Sequence, residues 1–203
     1  MKQKIIIKML LCTAFMLCMA INAGAQVQVS AGVGGGVNIA QHFDQENEFY
    51  ALNPLVTAQV DLQFSRLLAL LVWVEGMSGM SFNPDFEDDL DYHYSINYFS
   101  IAPTLKLCFP RRPLYVYLGP GFGFKTTGKV RQTYESLSLT EDLTDMNMRI
   151  DARLGVGYDI FLTNRMTLSP FVGFNFGLNE VVKDSDWKAN TFQAGLVLRY
   201  TVN

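Results

Sequence analysis

Between residues 148 and 162 the chain alternates with a period of two. Met148, Ile150, Ala152, Leu154, Val156, Tyr158, Ile160 and Leu162 share one parity, while Arg149, Asp151, Arg153, Gly155, Gly157, Asp159 and Phe161 share the other. In an extended strand these sets face opposite sides, one apolar and one largely polar or small. The same arithmetic recurs along the rest of the chain after residue 26. Val56, Ala58, Val60, Leu62 and Phe64 oppose Thr57, Gln59, Asp61 and Gln63, and Leu168, Pro170, Val172, Phe174, Phe176 and Leu178 oppose Thr167, Ser169, Gly173, Asn175, Gly177 and Asn179. The run 67–74 is apolar throughout, and there Glu75 selects the parity, placing Leu68, Leu70, Val72 and Val74 outside. Eight strands follow, each with one apolar face.

Connections alternate as well. Residues 65–66, 110–113 and 163–165 read as tight turns, while 41–53, 83–93, 126–146 and 180–188 read as long polar links. Short turns at one end and long loops at the other, with both termini at the short-turn end, are what an eight-stranded, antiparallel, up-and-down transmembrane β-barrel requires. Closure is obligatory, because every strand amide in hydrocarbon must find a partner and no edge can stay open. A soluble, ligand-carrying barrel would need an apolar lining inside, and only one apolar face is available here. The expectation is an all-β meander in the outer membrane, with both termini in the periplasm.

Residues 1–25 read as a signal peptide, with Lys2, Lys4 and Lys8 before an apolar core at 9–21 and a small-x-small site at Ala23-Gly24-Ala25; the barrel domain is then 26–203. Removing the three leader lysines leaves 13 basic against 19 acidic residues. Such a balance argues against nucleic acid as a partner. Of three cysteines only Cys108 lies outside the leader, which excludes a disulfide scaffold or a cysteine zinc site within one chain. The long links hold 15 of the 19 acids and four bases, whereas the short turns hold Arg66, Arg111, Arg112 and Arg165 and no acid. One end is therefore anionic and the other cationic. Asp85, Glu87, Asp88, Asp89 and Asp91 are either simply solvated or collect Ca²⁺ or Mg²⁺ that bridges to lipopolysaccharide phosphates.

Eight strands leave an interior just wide enough for side chains. By parity the lumen receives Asp61, Glu75, Asp151 and Asp159 with Lys106, Lys125, Arg149, Arg153 and Arg199. Buried charges are tolerable when paired, so a cross-barrel ion-pair network is expected, with Arg149 and Arg153 reaching Asp61 and Glu75. A narrow ion path is the functional alternative. The inward Gly32, Gly34, Gly36, Gly119, Gly121 and Gly123 are expected to make room for Trp73, Tyr115 and Tyr117.

Residues 98–107 (YFSIAPTLKL), 114–124 (LYVYLGPGFGF), 154–158 (LGVGY) and 195–200 (GLVLRY) resemble the recurring strands of the PorT-like outer-membrane β-barrel family. The likeness covers most of the chain after the leader, but these short glycine-aromatic motifs specify architecture more than task. The resemblance implies an integral outer-membrane protein of the Gram-negative envelope, and one branch of the family is implicated in protein secretion. The end, Tyr200-Thr201-Val202-Asn203, departs from the family's terminal aromatic.

The functional expectation is a non-catalytic, cofactor-free, monomeric scaffold or surface-interaction protein. It would act through acidic outer loops and meet membrane lipid, lipopolysaccharide and, during insertion, the barrel-assembly machinery. An enzyme alternative rests on His93 and Ser95, at i and i+2 on one strand face, which resemble the His-x-Ser pair of lipid A deacylase barrels. Ile96 follows the serine where that pattern has asparagine, and no acid appears downstream until Glu135.

Overall fold

The computed structural model describes residues 27–43, 48–78, 80–82, 90–134, 137–143, 146–181 and 188–202. The strands are β1 (Gln28–Phe43), β2 (Glu48–Gln63), β3 (Leu68–Ser78), β4 (Met80–Phe82), β5 (Leu90–Cys108), β6 (Leu114–Tyr134), β7 (Leu137–Asp142), β8 (Arg149–Tyr158), β9 (Ile160–Phe161), β10 (Met166–Gly177) and β11 (Asn190–Thr201). Eight of them form the staves of the barrel, in the order β1, β2, β3, β5, β6, β8, β10 and β11, all antiparallel. β4 continues the β3 stave along β5, β7 folds back on β6, and β9 pairs with β10. The ring closes where β1 meets β11, in unbroken register from Ser30↔Thr201 to Gln41↔Asn190.

Alternation decides which face is which. Thr57, Gln59, Asp61, Ala69, Leu71, Trp73, Glu75, Ser100, Ala102, Thr104 and Lys106 are buried in the lumen. Val33, Leu52, Val56, Phe99, Ile101, Leu118, Leu154, Val172, Phe176 and Leu196, on the opposite parity, are exposed. Apolar exposure on seven of the eight staves, with the outward Leu70, Val72 and Val74 of β3 half-buried, far exceeds the isolated patch of a soluble monomer and is the outward band of a transmembrane barrel.

The tight turns are where the sequence places them, at 64–67, 109–113 and 162–165. The long links differ. Much of 41–53 and 126–146 is strand: β1 and β2 pair up to Phe43↔Glu48, and β6 runs to Tyr134 before returning as β7. The apolar face of β5 and β6 stops near Phe99 and Phe124, yet these strands continue paired to Leu90↔Tyr134, adding ~30 Å of chain at strand rise. Hydrogen bonding to each other carries them past the apolar band. Two bulges accommodate this growth. Gly76 is the extra residue where β3 passes Val56/Thr57, and Thr126 is the extra residue where β6 passes Asn97/Tyr98. Beyond the second bulge the buried side of β6 switches parity, to Gly128 and Val130.

Val172 is 41% exposed on the outward face of β10. Val172→Arg should cost about 2 to 4 kcal/mol by urea titration in lipid vesicles if this position lies near the bilayer midplane. A cost near zero would contradict the assigned face.

Candidate functional site

The lumen is filled in layers. Nearest the short turns, Asp61 on β2, Lys106 on β5, Asp159 at the β8–β9 junction and Arg199 on β11 come from alternate staves and form a square in which each base touches both acids. Lys106 Nζ donates to Asp61 Oδ2 at 2.8 Å and to Asp159 Oδ2 at 3.0 Å. Arg199 donates through its two terminal nitrogens to the same two carboxylates. Ser169 donates to Asp159 at 2.8 Å and accepts from Arg199 Nη2 at 2.8 Å. The Lys106 ammonium also stands 4.2 Å from the Tyr115 ring centroid, a cation–π contact that covers its inner side.

Above the square lies an apolar and aromatic layer of Leu55, Leu71, Trp73, Ala102, Tyr115, Tyr117, Phe171 and Val197. Trp73 packs edge-on to Phe171 at 4.8 Å and tilted against Tyr117 at 5.3 Å. The glycines that make room for the tyrosines are not those the sequence suggests. A Cβ on Gly155 or Gly173 would collide with the phenol end of Tyr117, and one on Gly157 would collide with that of Tyr115. Gly121 and Gly123 instead accommodate Asp151, Arg153 and Arg149, and Gly34 and Gly36 lie against the β11 backbone.

The second charged layer bridges the barrel. Arg153 on β8 forks onto Glu75 on β3, Nη1 to Oε1 at 2.5 Å and Nη2 to Oε2 at 3.1 Å. Its Nε donates to Asp151 Oδ1 at 2.9 Å. Arg149 Nε lies 3.1 Å from Asp151 Oδ2, and Arg149 Nη2 donates to Thr191, which also accepts from Asn175. Toward the long-hairpin mouth, Ala40, Ile96, Tyr98, Val181 and Ala189 form a buried cluster against which Leu143 and Met146 pack.

Eight of the nine lumen charges named from the sequence therefore enter ion pairs, in two separate sets. Asp61 belongs with Lys106 and Arg199, not with Arg149 or Arg153 as expected. Lys125 joins neither set. It is exposed and donates from Nζ to the Leu143 carbonyl, at the strand position just before the Thr126 bulge. The described lumen thus balances four acids against four bases. Phe171 and Val197 also face the lumen, and the inward parity of β10 and β11 is the signal in the sequence that places them there. Asp85, Glu87, Asp88 and Asp89 lie outside the described residues, as do the signal peptide and the side chains of Asp91 and His93. Ser95 is half-buried on β5, paired across to Ser81 and Lys129.

An outward apolar band round a closed ring with an internally neutral core decides the class. The profile of the outer membrane protein beta-barrel domain matches residues 10–200. The chain belongs to that family. It is an outer-membrane protein, set among lipid and lipopolysaccharide. No curated protein matches the sequence. Among solved structures it is similar to the outer membrane protein AlkL, determined by solid-state NMR in lipid bilayers, at TM-score 0.54 and 14% identity over 88% of this chain and 92% of that one. It is also similar to a major outer membrane protein from Thermus thermophilus, at TM-score 0.53 and 12% identity over 85% of this chain and 99% of that one. At such identities the likeness establishes the fold alone.

Separate clusters make a separable prediction. Glu75→Gln should cost ~3 kcal/mol, and the double variant Glu75→Gln/Arg153→Met should lose less than the two single losses combined. Asp61→Asn with Arg153→Met shares no ion-pair partner and should be additive within ~0.5 kcal/mol. Equal coupling in both pairs, measured by urea titration in vesicles, would merge the clusters into one network.

Proposed function

We propose that this family member is a non-catalytic, monomeric barrel standing with its termini and three short turns in the periplasm, acting at the cell surface through the hairpins that extend beyond its apolar band. The observation that carries this reading is the filled lumen. An ion-pair square, an aromatic layer, a salt-bridged crossing and an apolar cluster succeed one another from the short-turn end to the long-hairpin mouth. An interior so occupied supports a scaffold better than a conduit, since water would have to displace paired charges and packed rings together. The exposed surface of the β6–β7 hairpin, with Lys129, Arg131, Glu141 and Asp142, offers mixed charge for contact with a partner.

Insertion by the barrel-assembly machinery fits the closed ring, whose last strand must find its first. Within the wider family we assign the chain to the PorT-like branch on the glycine-aromatic strands at 98–107, 114–124, 154–158 and 195–200. A place beside a secretion apparatus would follow from that branch and would use the same exposed hairpins.

Two measurements test the proposal. In a Cys108→Ser background, Asp142→Cys should react on whole cells with a membrane-impermeant thiol reagent and Arg112→Cys should not; the opposite pattern would invert the barrel. Planar bilayers containing the purified protein should show no steady conductance, and stable unitary steps would replace the scaffold with a pore.

A further inference from the structure

Outside the ion-pair square, on the side of the short turns, the mouth of the barrel is hollow. A cavity of about 460 Å³ opens there, walled by inward residues of the staves and by two of the turns, within the ~300 to 1,000 Å³ typical of small-molecule sites. Its floor is the Asp61–Lys106–Asp159–Arg199 square, whose charges cancel. Three further residues of the lining are not cancelled. Arg66 on the β2–β3 turn and Arg111 and Arg112 on the β5–β6 turn all reach this cavity, and none of them makes an ion pair among the described residues. The cup therefore carries three unneutralised positive charges above a neutral floor.

The backbone points the same way. In the turn from Phe109 to Arg112, closed by a bond from the Arg112 amide to the Phe109 carbonyl at 3.3 Å, Pro110 occupies the second position and Arg111 the third with φ of 67°. That is the geometry of a type II turn, whose third position favours glycine. Arginine accepts a left-handed backbone there and lines the cavity. A non-glycine residue held in this conformation is a pointer to use. Arg165, on the remaining short turn, behaves differently. Its Nη1 donates to the Tyr200 hydroxyl at 3.2 Å, and it does not line the cavity.

We propose that this cup binds a small oxyanion bearing two or more negative charges, phosphate or carboxylate, clamped by Arg66, Arg111 and Arg112. Guanidinium groups present paired N–H donors that match phosphate and carboxylate oxygens. The neutral floor leaves Lys106 and Arg199 occupied, so the bound anion is held by the turn arginines. Phe109, Pro113 and Phe161 form part of the wall and lower the local dielectric around those contacts. The site does not depend on which way the barrel faces. That its ligand is periplasmic rests on the orientation proposed above, which the cysteine labelling tests separately.

The test uses the full barrel in nanodiscs of neutral phosphatidylcholine, titrated calorimetrically at low salt with inorganic pyrophosphate, with citrate and with uncharged trehalose. Saturable binding of pyrophosphate or citrate and none of trehalose is expected, and the stronger of the two anions identifies the preferred oxyanion. Arg111→Gly, which suits the turn, should retain the heat-modifiable gel migration of a folded barrel and weaken binding roughly tenfold. Arg66→Gln and Arg112→Gln should act similarly, and the triple variant should abolish binding. Arg165→Gln removes the same charge from the same end and should leave affinity unchanged. Nanodiscs containing cardiolipin, whose headgroup carries two phosphates, distinguish the source of the anion: suppression of pyrophosphate binding there beyond that seen in phosphatidylglycerol nanodiscs of equal surface charge assigns the cup to a lipid headgroup, and equal binding in both assigns it to a soluble ligand. Absence of saturable binding by wild type, unchanged affinity in the folded triple variant, or an equal loss with Arg165→Gln would overturn the proposal.

Discussion

Everything in this molecule follows from the obligation of backbone amides to find partners inside hydrocarbon. A strand cannot leave its N–H and C=O groups to lipid, so eight strands close on themselves and the last, β11, must meet the first, β1. The obligation is visible where it is relaxed. Along the β5–β6 seam the ladder runs to Ile101↔Phe122, lapses, and resumes at Leu105↔Leu118. Continuing the register sets Pro103 opposite Pro120, two residues with no N–H to give. Loss of three successive pairs is what two prolines facing each other at a hydrogen-bonded position produce. The other seams of the same strands, Pro103↔Val72 and Pro120↔Ala152, remain paired. Their missing bonds are thus confined to one seam, and the strands keep close approach through Gly119, where a Cβ would lie 2.5 Å from the Pro103 carbonyl oxygen.

Closure at eight strands fixes the second constraint, a lumen that beyond the ion-pair square is too narrow to hold bulk water and too polar to be left empty. The solution is alternation along the axis as well as across the strands. Charges meet at two levels, and the rings of Trp73, Tyr115, Tyr117 and Phe171 separate them. In the lower level the charges come from every second stave with alternating sign, so each carboxylate has two cations and each cation two carboxylates. Such a square leaves no uncompensated buried charge, the condition under which an ion pair is tolerable in a low dielectric. The upper level reaches from β3 to β8 through one long arginine, and Arg149 and Asp151 complete it from the β8 side.

Period two made the faces legible from the sequence, including the ambiguous run at 67–74, where one acid, Glu75, set the parity. The number of staves and the position of the short turns were equally readable, since both follow from local pattern. What a linear pattern lacks is stagger. Which inward residue on β2 stands level with which on β8 depends on the shear of the closed barrel, so parity alone does not separate the layer of Asp61 from that of Arg149 and Arg153. A bulge is similarly silent, because Thr126 looks like any other strand residue until its partner strand is known. That single insertion reverses which parity of β6 is buried, to Gly128 and Val130, and Lys125 beside it bonds the Leu143 carbonyl instead of a lumen acid. The polar links at 41–53 and 126–146 misled for a third reason: strand pairing beyond the membrane needs no apolar face, so its sequence resembles a loop.

Long-range strand pairing also explains why the candidate oxyanion cup lies where no motif announces it. Arg66 is far in sequence from Arg111 and Arg112 and belongs to a different turn; the pairing of β3 with β5, which sets Leu68 opposite Leu107, brings the two turns to the rim of one cavity. The ion-pair square is necessary to this arrangement. Were Lys106 and Arg199 unpaired, they would draw any anion down among the buried rings; were Asp61 and Asp159 unpaired, they would repel it. Because the square is neutral and complete, the field at the mouth is set by the exposed turn arginines, a surface field that salt screens over about 10 Å at 0.1 M. The same square that stabilises the barrel therefore isolates its interior from its mouth, and an anion arriving there meets the turns before it meets the core.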